Sequence, residues 1–220
     1  MNIYTVIHHK DRNTSRAQAE LAIKNNVDGV FFISHDGLEE DVLILTKEHQ
    51  EKYPNIVVGA NFLSLKPDFA IRLAAAQGLS HLWIDSCGIN SNELWNDILD
   101  PAVHEKKKYN GSVFVGVAFK YQPPEPDPIK AVEIALKHGF IPTTSGSKTG
   151  VEAELSKVTT MSAAANGNLA LASGLTPENV KDYSPFLSHA FVSTGICFDN
   201  DFYHIDEDKL RLFIKNVGKK

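Results

Sequence analysis

Asn61, Asp85 and Lys120 are residue types that move protons or hold anions, and each follows a short apolar run. Every second side chain of a strand lies on one face. His81, Trp83 and Asp85 therefore share a face, as do Val57, Gly59 and Asn61, and Gly116, Ala118 and Lys120. Polar groups do not suit a helix layer, so these faces are expected to point into the interior of a closed sheet. A desolvated lysine near neutrality can act as a general base or a Schiff-base nucleophile. Beside Asp85 it stays charged and holds an anion or enolate, or it simply closes a buried ion pair. Asp85 suits acid/base work, and Asn61 suits orientation by hydrogen bonds. His8 and His9 are adjacent in the chain and so face opposite ways. At most one of them can join the site, and His8 is taken as the third catalytic candidate.

A second constellation lies near the C-terminus. The runs Leu169-Ala-Leu-Ala172 and Ala190-Phe-Val192 each end in a small polar tip, Ser173-Gly174 and Ser193-Thr194-Gly195. Glycine exposes backbone N–H groups, and such groups at a turn into a helix hold a dianion without basic side chains. Ser145, Gly146 and Ser147 form a similar tip earlier in the chain and join the same expected phosphate cradle. Their segment contains glycine, lysine and threonine but lacks the GxxxxGK[ST] spacing of a nucleotide-binding loop. The serines have no nucleophile-elbow pattern and are read as anion donors.

Other polar residues carry less. His35-Asp36-Gly37 reads as a turn with a cap for the next helix. Cys87 and Cys197 are read as packed thiols, since no activating neighbour stands beside either. Dispersed His and Asp residues offer no compact HxH or HExxH spacing. No cofactor is expected, and a divalent metal with hydrolytic chemistry is the weaker alternative.

These tips need elements to position them. Candidate strands begin near Ile3, Gly29, Asn55, Leu79, Ser112, Phe140, Asn168 and His189, about one βα unit apart. Gly29-Val-Phe-Phe-Ile33 is apolar on both faces, as a strand between an interior and a helix layer must be. Between strands the period becomes helical. Leu210, Phe213, Ile214 and Val217 share one face, as do Leu38, Val42, Leu45 and His49. The pattern predicts a single-domain (β/α)₈ TIM barrel over residues 1–220. An open doubly wound sheet is the competing fold, but eight even units close more naturally. The proline-rich piece Gln122–Pro128 reads as a stiff loop or a wall of the site.

Composition narrows the partners. A formal net charge of -5 excludes a global basic field for nucleic acid, and Lys106-Lys107-Lys108 reads as a solvated helix end. No apolar stretch has the length of a membrane span, and the N-terminus lacks a signal-peptide pattern. Two cysteines make no disulfide framework, which points to the cytoplasm. A homo-oligomer is left open.

Several motifs resemble one family nearly end to end. They are Val6-Ile-His8, Val27-Asp-Gly-Val30, Gly59-Ala-Asn-Phe-Leu63, Ala74-Ala-Ala-Gln-Gly78, Lys120, Thr144–Gly150 and Ser173-Gly-Leu-Thr-Pro-Glu-Asn179. On these the chain is similar to the BtpA/SgcQ family, barrel proteins linked in some members with photosystem I biogenesis. Ile33-Ser34, Trp83-Ile-Asp85 and Tyr121 depart from the family pattern, which implies altered substrate contacts. The tail is also similar to phosphoribosyl-handling barrels such as phosphoribosylanthranilate isomerase. The reading is an enzyme on a phosphorylated sugar or phosphoribosyl compound, an isomerase, lyase or hydrolase. The alternative is a non-catalytic assembly or regulatory factor, as the photosystem link implies.

Overall fold

The computed structural model describes residues 1–92 and 97–218. Eight strands alternate with eight helices: β1 (Asn2–His8), α1 (Arg12–Lys24), β2 (Gly29–Ile33), α2 (Glu39–Lys52), β3 (Val57–Asn61), α3 (Pro67–Ala76), β4 (His81–Ile84), α4 (Leu99–Lys106), β5 (Ser112–Gly116), α5 (Pro128–Lys137), β6 (Ile141–Thr144), α6 (Leu155–Ala164), β7 (Ala170–Ala172), α7 (Val180–Tyr183), β8 (His189–Val192) and α8 (Glu207–Asn216). All strand pairs are parallel, and β1 pairs with β8, so the sheet is a closed barrel. This is the single-domain TIM barrel that the unit spacing predicts.

Four strands begin one or two residues later than the apolar runs suggest. At Leu79 and Phe140 the reason is helix termination. Leu79 N–H bonds Ala74 O and Gly78 N–H bonds Ala75 O, with Gly78 at φ +66°. Phe140 and Gly139 repeat this with Ala135 and Leu136. This is the Schellman arrangement, whose apolar last residue packs back on the helix. Those two residues therefore close a helix before the strand begins. Helix starts also follow local chemistry. Asp11 accepts from Thr14 N at 2.9 Å, Asp127 from Lys130 N at 3.0 Å, and Asp206 from Asp208 N at 3.0 Å.

The interior is filled by rings. Phe191 stands 4.8 Å from Phe31, 4.9 Å from Trp83 and 5.0 Å from Phe114 between centroids, and Tyr4 closes on Phe31 at 5.2 Å. Most of these contacts are tilted or edge-to-face, the geometry aromatic quadrupoles favour. Gly59 on β3 admits this plug, because a Cβ there would lie 2.4 Å from the Phe31 ring. The rings form the floor on which the C-terminal ends of the strands sit.

Two histidines lie under that floor. His81 and His189 flank Tyr4 at 5.8 and 5.5 Å, and Ser80 and Ser188 hydroxyls lie 2.8 Å from their Nδ1 atoms. Burial lowers the pKa of both, His189 to about 4. A folded pKa below the unfolded value of 6.5 favours the neutral ring in the native state. The associated stability is present above pH 6.5 and is lost as pH falls toward 4. For the partly exposed His189 this is on the order of 2 kcal/mol after allowance for solvent screening. Urea unfolding at pH 7 and pH 4.5 is expected to show a smaller acid loss in His189→Gln than in the parent. Equal losses in the two proteins would assign acid sensitivity to other groups.

Candidate active site

One cavity of about 530 Å³ opens above the aromatic floor, at the C-terminal ends of the strands. Trp83 and Phe191 form its base, and His8, Asp85 and Lys120 line it. Ser173, Gly174, Ser193 and Thr194 line it from β7 and β8. The fold thus brings His8, Asp85 and Lys120 and the Ser173-Gly174 and Ser193-Thr194 tips to one space, while Asn61, Ser145, Gly146, Ser147 and Gly195 do not line it.

Asp85 follows β4, and Asn61 ends β3 beside it. Asn61 is buried, and its Nδ2 donates to Asp85 Oδ1 at 2.8 Å. Asp85 is held from behind as well, since Gln122 Nε2 donates to its carbonyl at 2.8 Å. Gly116 permits this approach of β4 and β5, because a Cβ there would lie 2.0 Å from Asp85 O. Burial pushes the Asp85 carboxyl up, while the Asn61 amide and the Lys120 charge pull it partly back. Burial pushes Lys120 down, partly offset by Asp85. The two feel each other's charge without a direct ion pair.

The strand alternation that led to Lys120 does not hold across the whole segment. β5 stops at Gly116, and Ala118 turns with φ +47°. Ala118 packs on the outer cluster, and Phe119 enters the inner one. Lys120 reaches the cavity because its N–H bonds Ser145 Oγ at 2.7 Å. The small residues below it make room for neighbouring backbone and rings, and Lys120 lies over the Phe119 ring at 5.4 Å.

His8 and His9 separate as opposite faces require. His9 is buried against Ser15 Oγ and Asp41 Oδ2, each at 3.0 Å. His8 Nδ1 lies 2.9 Å from His35 Nε2, with the rings stacked at 5.0 Å. Burial first, then His35 and Lys120, lower the His8 pKa to about 3, so it is neutral near pH 7. One N–H serves the contact between the rings. If His8 donates it, His8 Nε2 is a free base; if His35 donates it, His8 Nε2 carries the proton. The pair can therefore serve as acid or base by exchanging tautomers.

His35 is the residue that sequence reasoning assigned to a turn. The turn exists, with Ser34 Oγ accepting from Asp36 N and Leu38 N. The inward series Phe31, Ile33, His35 was the signal that could have placed its ring at the mouth. Phe202 and Tyr203 also line the cavity, from a loop closed by the Cys197–Ile205 bridge. No strand periodicity reaches them.

The tips divide into those that face the cavity and those that shape it. Gly174 sits at φ +78°, and Ser173 before it at φ +98°, a region that costs most side chains strain. Ser173 Oγ accepts from Gly150 N at 2.8 Å and donates to Lys148 O at 3.1 Å, which offsets that strain. Asn179 Nδ2 donates to Gly174 O at 2.9 Å, and its Oδ1 accepts from Thr176 N at 2.8 Å. Among the described residues no acceptor takes the backbone N–H of Gly174, Leu175, Ser193 or Thr194. These four residues border the cavity. Ser145 is fully buried, with its hydroxyl spent on Lys120 N and on Gly146 O at 2.9 Å. Gly146 lies against Val151 O, and Ser147 is exposed outside the cavity. Gly195 lies against Leu175 O, where a Cβ would approach to 2.0 Å. Among the described residues no group of three metal-ligating side chains converges.

No family profile matches the chain, and no curated protein matches it. The BtpA/SgcQ resemblance therefore rests on its motifs alone. Solved structures match over nearly the full length. One, described as native KDPGal, is 15% identical with a TM-score of 0.72, covering 99% of this chain and 95% of that one. The 3-hexulose-6-phosphate synthase of Salmonella typhimurium is 15% identical with a TM-score of 0.72, covering 99% and 98%. The phosphoribosyl anthranilate isomerase of Thermus thermophilus is 13% identical with a TM-score of 0.69, covering 99% and 98%. Identities this low establish the TIM-barrel class. The synthase and the isomerase are named for phosphorylated compounds. Among the described residues no helix is long and apolar enough to cross a membrane.

Two outcomes follow from this geometry. Asn61→Leu removes a donor that favours the carboxylate, so the Asp85 pKa should rise further, read by ¹³C NMR titration of the carboxyl. Gly195→Ala should cost about 1–3 kcal/mol by overpacking, lowering Tm by about 2–4 °C for each kcal/mol.

Proposed function

We propose that this protein is an enzyme acting on a phosphorylated sugar or phosphoribosyl-type small molecule by acid/base chemistry at the barrel mouth. The observation that carries the reading is one cavity shared by unpaired backbone N–H groups and by His8, Asp85 and Lys120. The dianion sits on the N–H groups of Gly174, Leu175, Ser193 and Thr194. Oriented amides at a tight turn bind phosphate without adding a titratable charge. The rest of the ligand lies over Trp83 and Phe191, within reach of the polar groups. Asp85, pushed up by burial, can donate a proton or hold one in transit. His8, neutral beside His35, takes or returns a second. Isomerisation, cleavage or hydrolysis would each use such a pair.

The likeness to barrels named for phosphoribosyl and hexulose phosphate compounds supports the same ligand class. The Ser173–Asn179 motif shared with the BtpA/SgcQ pattern builds the loop that turns the Gly174 tip toward the cavity. Family membership belongs to this proposal, as do function in the cytoplasm and work without a metal.

Thermal-shift measurement with inorganic phosphate and a panel of phosphosugars tests the reading. Ligand at about a hundred times Kd should stabilise by about 2.7 kcal/mol, or about 5–10 °C in Tm for a chain of this size. Thr194→Glu places a carboxylate in the cradle and should abolish the shift. A parent protein that no phosphorylated ligand stabilises would refute the proposal.

A further inference from the structure

We propose that Lys120 forms an imine with the carbonyl carbon of its ligand, so that the substrate is a phosphorylated ketone or aldehyde. The inference rests on reading the cavity as a phosphorylated-ligand site. It starts from a contrast among three partly buried lysines. Lys157 Nζ donates to Ala118 O at 2.6 Å and Ser145 O at 3.0 Å, tying two loops together. Lys106 Nζ donates to Tyr109 O at 3.2 Å. Lys120 Nζ has no acceptor among the described residues and faces the cavity over the Phe119 ring. A structural lysine buried to this extent normally satisfies its donors. An amine left unpaired above an apolar floor is poised for another use, and burial favours its neutral, nucleophilic form.

The surrounding groups supply what imine chemistry needs. The ammonium first yields a proton to Asp85 or to the His8–His35 pair. The amine lone pair then attacks the carbonyl carbon, a C–N bond forms, and a proton passes from nitrogen to oxygen to give the neutral carbinolamine. Nitrogen next expels that hydroxyl, which leaves as water with a second proton, and the C=N bond forms. Net, ammonium plus ketone gives iminium plus water, with no oxidant or metal. Asp85 is the carboxyl beside the amine whose pKa burial raises, which suits delivery of the second proton. Its Oδ1 is held by Asn61, and no hydrogen bond holds Oδ2 among the described residues. The iminium so formed draws electrons from the adjacent carbon, which serves isomerisation and carbon–carbon cleavage alike.

The test is reductive trapping with sodium cyanoborohydride, using dihydroxyacetone phosphate, glyceraldehyde 3-phosphate and ribulose 5-phosphate as probes. Intact mass and peptide mapping read the adduct. One reduced adduct on Lys120 is expected. It should form roughly tenfold faster from dihydroxyacetone phosphate than from dihydroxyacetone, because phosphate binding anchors the carbonyl. Inorganic phosphate should suppress it, and Lys120→Met should lose it while keeping the phosphate-induced thermal shift. Mapping on the parent protein decides the matter even if that variant fails to fold. Absence of a Lys120 adduct with all three probes, or labelling spread over Lys10 and Lys148, overturns the inference. If phosphate still stabilises the parent in that case, the ligand class survives and only the imine falls. A Lys120 adduct formed equally fast without the phosphate group would instead keep the imine and remove the cradle.

Discussion

Hydrogen bonds between Asn2–Thr5 of β1 and His189–Val192 of β8 close the sheet into a ring. Closure leaves no strand edge and obliges every strand to end at the same rim. His8, Asp85, Lys120 and the β7 and β8 tips come from segments far apart in the chain, and they share one cavity only because of this pairing. The ring also creates an interior that must be filled. Tyr4, Phe31, Phe114 and Phe191 fill it from four strands, and Trp83 completes the floor. Loss of that packing would open the cavity downward and release the polar layer above it.

Backbone conformations that resist ordinary side chains cluster at the rim. Ala118, Tyr121 and Ser173 all have positive φ. Each costs on the order of 1–3 kcal/mol and persists only where neighbours over-determine it. Those neighbours are visible. Lys157 grips Ala118 O and Ser145 O, Tyr121 lies against Thr149, and Ser173 bridges Lys148 and Gly150. Packing energy from the barrel is thereby directed into loops that border the cavity. The partly buried lysine at 157 is a structural tie, whereas Lys120 Nζ has no acceptor among the described residues.

Burial moves the polar groups of the site toward neutrality. Asp85 is pushed up, Lys120 down, and His8 down to about 3. Each shift follows from desolvation first and from neighbours second. A cavity tuned this way suits proton exchange and nucleophilic attack better than static charge pairing.

Periodicity and punctuation carried the sequence a long way. Two-residue alternation, helical faces and glycine stops gave eight units, the barrel, and the strand ends that hold Asn61, Asp85 and His8, because these signals are local. Local patterns misplaced Leu79 and Phe140, since a helix cap and a strand start look alike until the backbone bonds are drawn. They gave His35 to a turn, although its ring also stacks on His8. They could not separate Ser145, whose hydroxyl is consumed by Lys120 N, from Ser173 and Ser193, which border the cavity. Nor could they place Phe202 and Tyr203, which arrive in a loop without period. The chain alone determined which elements form and in what order, because propensity and burial act over neighbouring residues. Only the tertiary structure decided which hydroxyls and amides stay unpaired, because a hydrogen bond between distant loops depends on where closure puts them.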